Sequence, residues 1–549
     1  MASDSERRSR FTSFNFLKRF ACIGLLAGLS ACGGGGGDSL PATGAVATST
    51  TASEASPSVI AGTSSTATLP SLGYTAASVA QQCVAPRTGE GFTDVQGTIE
   101  TEKRWVRAHM DETYLFYKDV PVVDPARFTP AAYEGSVFNT LRAYFSALRT
   151  PKVTASGKDV DQFSFVAPTQ TRTNQQAGIS SGYGISFARL DDPNNATTTV
   201  DIRVLRVEPD SPGDLAGVER GDRVKSIDGV DVNDSTDAGQ RTLFAGLNPS
   251  SASKTTTFGL QASGSDDVEE VVVVSSSNIV TNPVEIAKTI RVGVSKVGYL
   301  ALNSFSAVKA QTQLINAMKQ FKTDGVKALV LDLRYNGGGI VLLANQLSYM
   351  IGSADLKNKV FERSICNDKN PFDACKQPNQ FIDATIGDSV NNVTPDQDIP
   401  QLGLKRVFVL TTGSTCSASE SVINGLSPYL EVIRIGGTTC GKPFGFIVKD
   451  NCGTSYAALQ IKSANANGFA EYEDGFAPKC TVADDLSRER GDPAELMLAS
   501  AVNYIKTGSC QSVPKGAQKM TAPGDAKFKM MRSPMEEMRI MTMPGNSQR

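Results

Sequence analysis

The sequence predicts an α/β protein whose core, built from helices and a mixed or parallel sheet, follows a small β domain and a helical N-terminal region. Strand-like and helical stretches alternate over residues 285–508, which indicates buried strands connected by helices. Short β runs separated by glycine-containing turns fill residues 175–282. Residues 76–172 carry apolar side chains at helical spacing. At 549 residues, the chain is long enough to form several domains with buried cores.

Composition excludes several classes of function. The formal net charge is -2, whereas a nucleic-acid binder needs an excess of basic residues to neutralise phosphates. The single histidine, His109, leaves no cluster of histidine ligands for a metal, and the cysteines form no C-x-x-C pair. His109 lies in the helical stretch 102–117, where we expect a structural role for it. We therefore expect no metal, no cofactor and no nucleic-acid partner.

Residues 1–32 have the pattern of an export signal. Basic residues precede the apolar run Phe20–Ala31, which is too short to span a bilayer as a helix. The run ends in Leu29-Ser30-Ala31-Cys32, which resembles a bacterial lipobox. That resemblance implies lipidation of Cys32 and a periplasmic protein anchored to a membrane, with the outer membrane favoured. A plain secretory signal is the alternative. Residues 33–75, rich in Gly, Ser, Thr and Ala, are expected to be a flexible linker.

Export implies an oxidising compartment, in which the eight cysteines after Cys32 can form disulfides. Many pairings of eight cysteines are possible in principle, and buried free thiols are the alternative. The pairs we expect are Cys366–Cys375, Cys416–Cys440, Cys452–Cys480 and Cys83–Cys510.

The first candidate catalytic motif surrounds Ser417. The apolar strand Arg406–Leu410 is followed by Ser417-Ala418-Ser419-Glu420 and a helical stretch. A serine at a sharp strand-to-helix junction presents its hydroxyl at the end of the sheet, where N–H groups at the helix start face developing negative charge. The alternative is a capping box, in which Ser417 and Glu420 only cap the helix.

The second motif contains Lys442, which follows the apolar strand Val432–Ile435 and lies 25 residues after Ser417. That separation is one helix plus one strand, which returns the chain to the same end of the sheet. Burial of a lysine lowers its pKa and yields a neutral amine that can serve as a base beside a serine. An exposed loop cation is the alternative.

The third motif is the turn Gly337-Gly338-Gly339 after the strand Leu331–Leu333. Such a turn directs backbone N–H groups at an anion, either an oxyanion or a phosphate. The turn lacks both G-x-G-x-x-G and Gly-Lys-Ser/Thr spacing, so an oxyanion fits better.

Together the segments Asp332–Gly339, Ser417–Glu420 and Thr439–Lys442 resemble those of the carboxyl-terminal processing (tail-specific) proteases, serine peptidase family 41. The resemblance implies a crotonase-like, ClpP-type core over 285–508. It also implies roles for individual residues: Ser417 as nucleophile, with Ser419 as runner-up, Lys442 as general base, Glu420 as an orienting residue, and Ala418 with Gly338 or Gly339 as oxyanion donors. The chain departs from the family at Phe446, where many members have Gln, and at Pro428, where some have Asp.

Residues 175–282 resemble the PDZ domains of bacterial proteases. The matching segments are Gly182-Tyr183-Gly184-Ile185, Ala216-Gly217-Val218, Gly221-Asp222 and Ile227-Asp228-Gly229. The resemblance implies that the first segment binds the apolar C-terminus of a polypeptide, whose extended backbone adds to a sheet edge. A purely structural β domain is the alternative.

These motifs lead us to expect an exported, lipid-anchored serine endopeptidase that cleaves polypeptides with apolar C-termini. The alternatives are a catalytically inactive binding protein on the same fold and a PDZ-based scaffold. We expect the methionine-rich segment 511–549 to be a mobile tail.

Overall fold

The computed structural model describes residues 72–191, 200–249, 252–372, 375–388, 393–510 and 527–531. The predicted signal, its Cys32 and most of the predicted linker lie outside these residues. Among the described residues, no helix combines the length and apolar character needed to cross a membrane.

The N-terminal region forms helices because its apolar residues recur at helical spacing and polar side chains cap the ends. Thr98 and Thr101 form a reciprocal capping box at the start of the first helix. Trp105, Tyr114 and Phe145 form a core together with Phe444 and Tyr456 from the later chain. The regular elements are the helices α1 (Ile99–Thr113), α2 (Val137–Ala147) and α3 (Thr169–Gln176), the strands β1 (Gln82–Cys83), β2 (Val95–Gln96) and β3 (Phe165–Pro168), and 3-10 turns at Tyr117–Asp119, Pro125–Arg127 and Pro130–Tyr133, preceded by one at Ala77–Val79.

The PDZ-like domain is a twisted antiparallel sheet with two short helices. Its strands are β4 (Ile179–Gly182), β5 (Ile185–Asp191), β6 (Asp201–Val207), β7 (Arg223–Ile227), β8 (Val230–Asp231), β9 (Thr255–Gln261), β10 (Val268–Val274) and β11 (Ser276–Val280), and its helices are α4 (Pro212–Leu215) and α5 (Asp237–Leu247). The main sheet runs β10-β9-β7-β6-β5, β8 pairs with β7, and β11 pairs with β4. Inward-facing Val204, Val224 and Phe258 build its core.

The α/β core contains the six-stranded sheet that positions the candidate site. Its strand order is β12 (Val284–Val292), β13 (Ser295–Leu302), β14 (Ala328–Asp332), β17 (Arg406–Thr411), β18 (Glu431–Gly436) and β23 (Cys480–Thr481). The first pair is antiparallel and the remaining pairs are parallel, so the sheet is mixed, as predicted. Its helices are α6 (Ala310–Asp324), α7 (Val341–Ile351), α8 (Ala418–Leu426) and α9 (Leu496–Thr507), with a 3-10 turn at Ala354–Leu356.

The described residues also form two smaller antiparallel sheets. One runs β16 (Asn379–Gln380), β15 (Val360–Cys366), β22 (Ile461–Ala464) and β19 (Phe444–Gly445), and the other runs β20 (Lys449–Asn451), β21 (Thr454–Ala457) and β3. Because β3 pairs with β21, the N-terminal region shares both a sheet and a core with the later chain.

The segment 511–549 was expected to have no regular structure. The structure describes five of its residues, and these form strand β24 (Lys527–Met531), which pairs antiparallel with β5 of the PDZ-like domain. A strand arises here because the edge of β5 offers unpaired backbone groups to an extended segment.

Four disulfides join the eight cysteines, and two of the four expected pairs are confirmed: Cys366–Cys375 and Cys416–Cys440. The other two expected pairs, Cys452–Cys480 and Cys83–Cys510, are wrong, since the bonds are Cys83–Cys452 and Cys480–Cys510. The observed pairing depends on which distant segments of the chain lie side by side. β1 lies beside the turn after β20, where Gln81 N–H donates to Asn451 Oδ1 at 2.8 Å.

Candidate active site

Ser417 occupies a sharp turn between β17 and α8. Its φ of 60° and ψ of -118° are unusual for a residue other than glycine, a kind of strain that is characteristic of functional turns. The side chain is fully buried, and Oγ has no hydrogen-bond partner among the described residues. The reciprocal arrangement of the predicted capping box is present, with Glu420 accepting from Ser417 N–H at 2.9 Å, but the Ser417 hydroxyl makes no side-chain capping hydrogen bond.

The glycine turn lies against this serine. Gly338 has a φ of +104°, and a Cβ at that position would lie 2.8 Å from the Cβ of Ser417. Glycine is therefore required both by conformation and by space. Gly338 N–H already donates to Asn336 Oδ1 at 2.9 Å, which leaves Gly339 as the other predicted oxyanion donor of the turn.

The runner-up nucleophile, Ser419, has a different environment. Its hydroxyl donates to the carbonyl oxygen of Asn336 at 2.9 Å, and the same carbonyl accepts from Cys416 N–H at 3.0 Å. Ser419 thus ties helix α8 to the start of the glycine turn, which distinguishes it from Ser417.

Lys442 is buried, with 5% of its surface exposed. Its Nζ lies 5.1 Å from the ring centroid of Phe163 and 4.7 Å from that of Phe446. Phe446 stands at the family's Gln position, so an aromatic ring flanks the amine where many members have an amide. The alternative of an exposed loop cation does not describe this lysine.

Glu420 connects the serine turn to the lysine segment. Its Oε2 accepts from the N–H groups of Ser417 at 2.9 Å and Lys442 at 2.8 Å, and its Oε1 accepts from Gly441 N–H at 2.9 Å and Thr439 Oγ1 at 2.6 Å. Burial raises the pKa of Glu420 despite these four hydrogen bonds, which act in the opposite direction. The carboxylate therefore fixes the two backbone segments at one point.

The disulfide Cys416–Cys440 is a second tie between the same segments. It joins the residue before Ser417 to the residue two before Lys442, with the Cα atoms 5.3 Å apart. These cysteines and Glu420 form a group that could in principle hold a metal. The disulfide and the four hydrogen bonds to the carboxylate already use their ligand atoms.

A buried network of ion pairs lies next to the glycine turn, centred on Arg334 three residues before Gly337. Arg334 is fully buried and contacts Asp332, Glu495 and Asp484 at 3.0, 3.0 and 2.6 Å. Arg220 of the PDZ-like domain reaches the same network, donating to Asp484 Oδ1 at 2.9 Å and to Tyr335 Oη at 2.6 Å. Sequence reasoning missed Glu495, Asp484 and Arg220, since they lie far from the motif along the chain and no local pattern marks them.

Asp484→Asn is expected to destabilise the fold by about 3–5 kcal/mol near neutral pH, because it leaves two buried guanidinium groups partly uncompensated. Burial alone would raise the pKa of Asp484, but Arg220 and Arg334 more than offset it and lower the pKa to about 2. Its stabilisation is therefore present above the ordinary pKa of 3.8 and is lost as the pH falls towards about 2. Urea unfolding at several pH values measures this.

The control for this prediction is Asp368→Asn, whose carboxylate is 66% exposed and pairs with Lys118 at the surface. Exposed pairs of this kind contribute about 0–1 kcal/mol. Equal losses in the two variants would contradict the role given to Asp484.

The predicted peptide-binding segment forms the connection between β4 and β5. Gly182 and Gly184 have positive φ values of 120° and 76°, and Ile185 begins β5. Tyr183 is buried, and its hydroxyl lies 2.7 Å from Thr256 Oγ1. The tyrosine thus supports the loop from the domain core, while β5 continues directly from it.

His109 is a structural residue in the helical N-terminal region, as predicted. It is buried and stacks on Trp105 with ring centroids 4.9 Å apart. Burial lowers the pKa of His109 to about 3, so the ring is neutral at ordinary pH.

Comparison with known proteins assigns the two domains. A family model described as peptidase family S41 matches residues 296–465, and a PDZ model matches residues 203–244. The chain carries a peptidase family S41 domain. The matched residues include the glycine turn, Ser417, Glu420 and Lys442, and the match supports a hydrolase that acts on peptide bonds.

The curated relatives that match this chain are named as processing enzymes. The chain is 26% identical over 360 residues to the carboxyl-terminal-processing protease of Picosynechococcus sp., covering 64% of this chain and 74% of the relative. It is 25% identical over 292 residues to the chloroplastic carboxyl-terminal-processing peptidase 1 of Arabidopsis thaliana, covering 51% of each. A solved Bacteroides fragilis structure assigned to the S41 proteases aligns with a TM-score of 0.54 and 23% identity, over 77% of this chain and 100% of that chain, which supports the fold.

Proposed function

We propose that the protein is a serine endopeptidase of the carboxyl-terminal processing type, with Ser417 as nucleophile and Lys442 as general base. The observation that carries the proposal is the strained turn at Ser417, whose buried hydroxyl makes no hydrogen bond among the described residues. This turn is held to the lysine segment by Glu420 and by the disulfide. Position and conformation thus both favour a reactive serine.

In the proposed reaction, Ser417 Oγ adds to the carbonyl carbon of the scissile bond while Lys442 Nζ accepts the hydroxyl proton. A base must start neutral, and burial of an amine favours its neutral form. Ala418 N–H and Gly339 N–H stabilise the oxyanion. The proton then passes to the leaving amine as the peptide bond breaks, and water, deprotonated by Lys442, hydrolyses the acyl-enzyme.

The hydroxyl and the amine are not hydrogen-bonded to each other in this structure, since Ser417 Oγ has no partner among the described residues. Catalytic hydrogen bonds often form only when substrate binds. We propose that the side chains of Ser417 and Lys442 rotate when substrate binds, so that the hydroxyl and the amine form a hydrogen bond.

The PDZ-like domain is proposed to select substrates by an apolar C-terminus, which would enter beside Gly182–Ile185 and extend along β5. We further propose that lipidated Cys32 anchors the protein to a bacterial membrane facing the periplasm. The support for the anchor is the lipobox-like segment of the sequence alone.

Purified protein is expected to cleave an unstructured polypeptide that ends in apolar residues, and a chelator should not change the rate. Ser417→Ala is expected to abolish detectable cleavage, because it removes the attacking oxygen. The matched control is Ser421→Ala, which removes another buried hydroxyl without a described partner from the same helix. Absence of cleavage by the wild type, or equal cleavage by Ser417→Ala, would leave an inactive binding protein or scaffold as the function.

A further inference from the structure

The chain places part of its own C-terminal segment on the edge of the PDZ-like sheet. Strand β24 pairs antiparallel with β5 over five consecutive positions, from Lys527 opposite Asp191 to Met531 opposite Phe187. β5 pairs with β6 on its other side, so β24 is the terminal strand of this sheet. The segment takes the place that an added strand would take.

The direction of β24 matches the way in which a PDZ-like domain receives a ligand. β5 starts at Ile185, immediately after the glycine-containing loop at Gly182–Gly184. Because the pairing is antiparallel, β24 runs towards that loop, and Met531 lies opposite a position two residues from Ile185. An extended peptide that adds to β5 with its C-terminal end towards the loop needs the same backbone N–H and C=O groups.

We infer that residues 527–531 are an internal ligand that occupies the peptide-binding edge of β5 and competes with substrate C-termini. The inference rests on the proposed peptide binding by this domain, but not on catalysis. Two extended strands cannot use the same edge of β5, so a substrate peptide binds this edge when β24 leaves it. Substrates with strongly binding C-termini would then be favoured over weak ones.

The attachment of the segment makes this competition effective. Cys510 is fixed to Cys480 by a disulfide, and 16 residues separate Cys510 from Lys527. Tethering through a linker of such length typically gives an effective concentration on the order of 1 mM. If the free segment binds with a Kd of about 0.1 mM, the tethered strand weakens a competing peptide roughly tenfold.

The test measures binding rather than turnover, in the otherwise complete chain carrying Ser417→Ala. A short fluorescent peptide with three apolar residues at its C-terminus is titrated into the full-length chain, a chain ending at Cys510, and a chain ending at Met531. The inference predicts about tenfold tighter binding to the chain that ends at Cys510. The chain ending at Met531 keeps β24 and should bind as weakly as the full-length chain.

A second probe does not depend on the preference for apolar C-termini. A synthetic peptide of residues 524–534 is titrated into the chain ending at Cys510, and amide exchange in residues 185–191 is followed. Binding of this peptide, with slower exchange in β5, supports the inference even where the apolar peptide binds no variant; in that case substrate selection by apolar C-termini fails instead.

Proline substitutions provide a matched pair within the strand. Neighbouring residues of a strand direct their N–H groups to opposite sides, so one of Lys529→Pro and Met530→Pro removes a bond to β5 and the other removes an N–H that points away from β5. We expect tighter binding of the apolar peptide in one variant than in the other.

Equal affinities in all chains, together with no binding of the 524–534 peptide, would overturn the inference. If the affinity of the full-length chain for the apolar peptide changes with protein concentration, β24 binds to β5 of a second copy. That result would also overturn the inference.

Discussion

Lys442→Met is expected to lower kcat/KM for peptide cleavage by about 10²–10⁴-fold, the usual contribution of a general base. Methionine keeps an unbranched chain of similar length between Phe163 and Phe446 while removing the amine. Loss of the amine also removes its contacts with the two aromatic rings, so the thermal midpoint is measured together with the rate. Steady-state kinetics and thermal unfolding on the same preparation separate the two effects.

Lys449→Met is the control for this substitution. Lys449 is exposed, follows Lys442 closely in the sequence and also lies over an aromatic ring, with Nζ 5.6 Å from the Phe372 centroid. Its activity should stay near that of the wild type. If the two methionine variants have similar rates, Lys442 is not the base.

Glu420→Gln is expected to reduce both activity and stability, since the carboxylate accepts four hydrogen bonds, three of them from backbone N–H groups. An amide would direct its NH₂ group at backbone N–H groups and leave at least two buried donors unsatisfied, at about 1–3 kcal/mol each. We therefore expect the free energy of unfolding to fall by about 2–4 kcal/mol. Displacement of the serine turn relative to the lysine segment should cost a further factor of about 10² in kcat.

The matched control is Glu362→Gln. Glu362 is also buried, but it accepts from Ser463 Oγ at 2.5 Å and Asn379 Nδ2 at 3.1 Å. In the glutamine variant the Ser463 hydroxyl can turn to accept from the amide NH₂, while the amide oxygen still accepts from Asn379. Its kcat should be close to that of the wild type. A Glu420→Gln enzyme that kept full kcat would show that the carboxylate does not position the site.

The elements of the α/β core could be predicted because their signals are local. Continuous apolar runs predicted β14, β17 and β18. The spacing of 25 residues between Ser417 and Lys442 corresponds to one helix and one parallel strand. Parallel register then brings both segments to the same sheet end, as the hydrogen bonds to Glu420 show.

What the sequence did not reveal depends on contacts between distant segments. Phe163 reaches the amine of Lys442 from the N-terminal region, and Arg220 reaches the glycine turn's network from the PDZ-like domain. Cys83 and Cys510 were assigned to each other because they are the first and last of the eight, whereas β1 and α9 place them beside different partners. The strained φ at Ser417 also leaves no local signature in the sequence.

Covalent labelling tests most directly whether Ser417 is a nucleophile activated by Lys442. The protein is treated with a serine-reactive phosphonate, and the modified residue is located by peptide mass spectrometry in the wild type, Ser417→Ala and Lys442→Met. We expect one adduct per chain, located on Ser417, absent in Ser417→Ala and formed far more slowly in Lys442→Met. Labelling of Ser419 instead, or equal rates of labelling with and without the Lys442 amine, would contradict it.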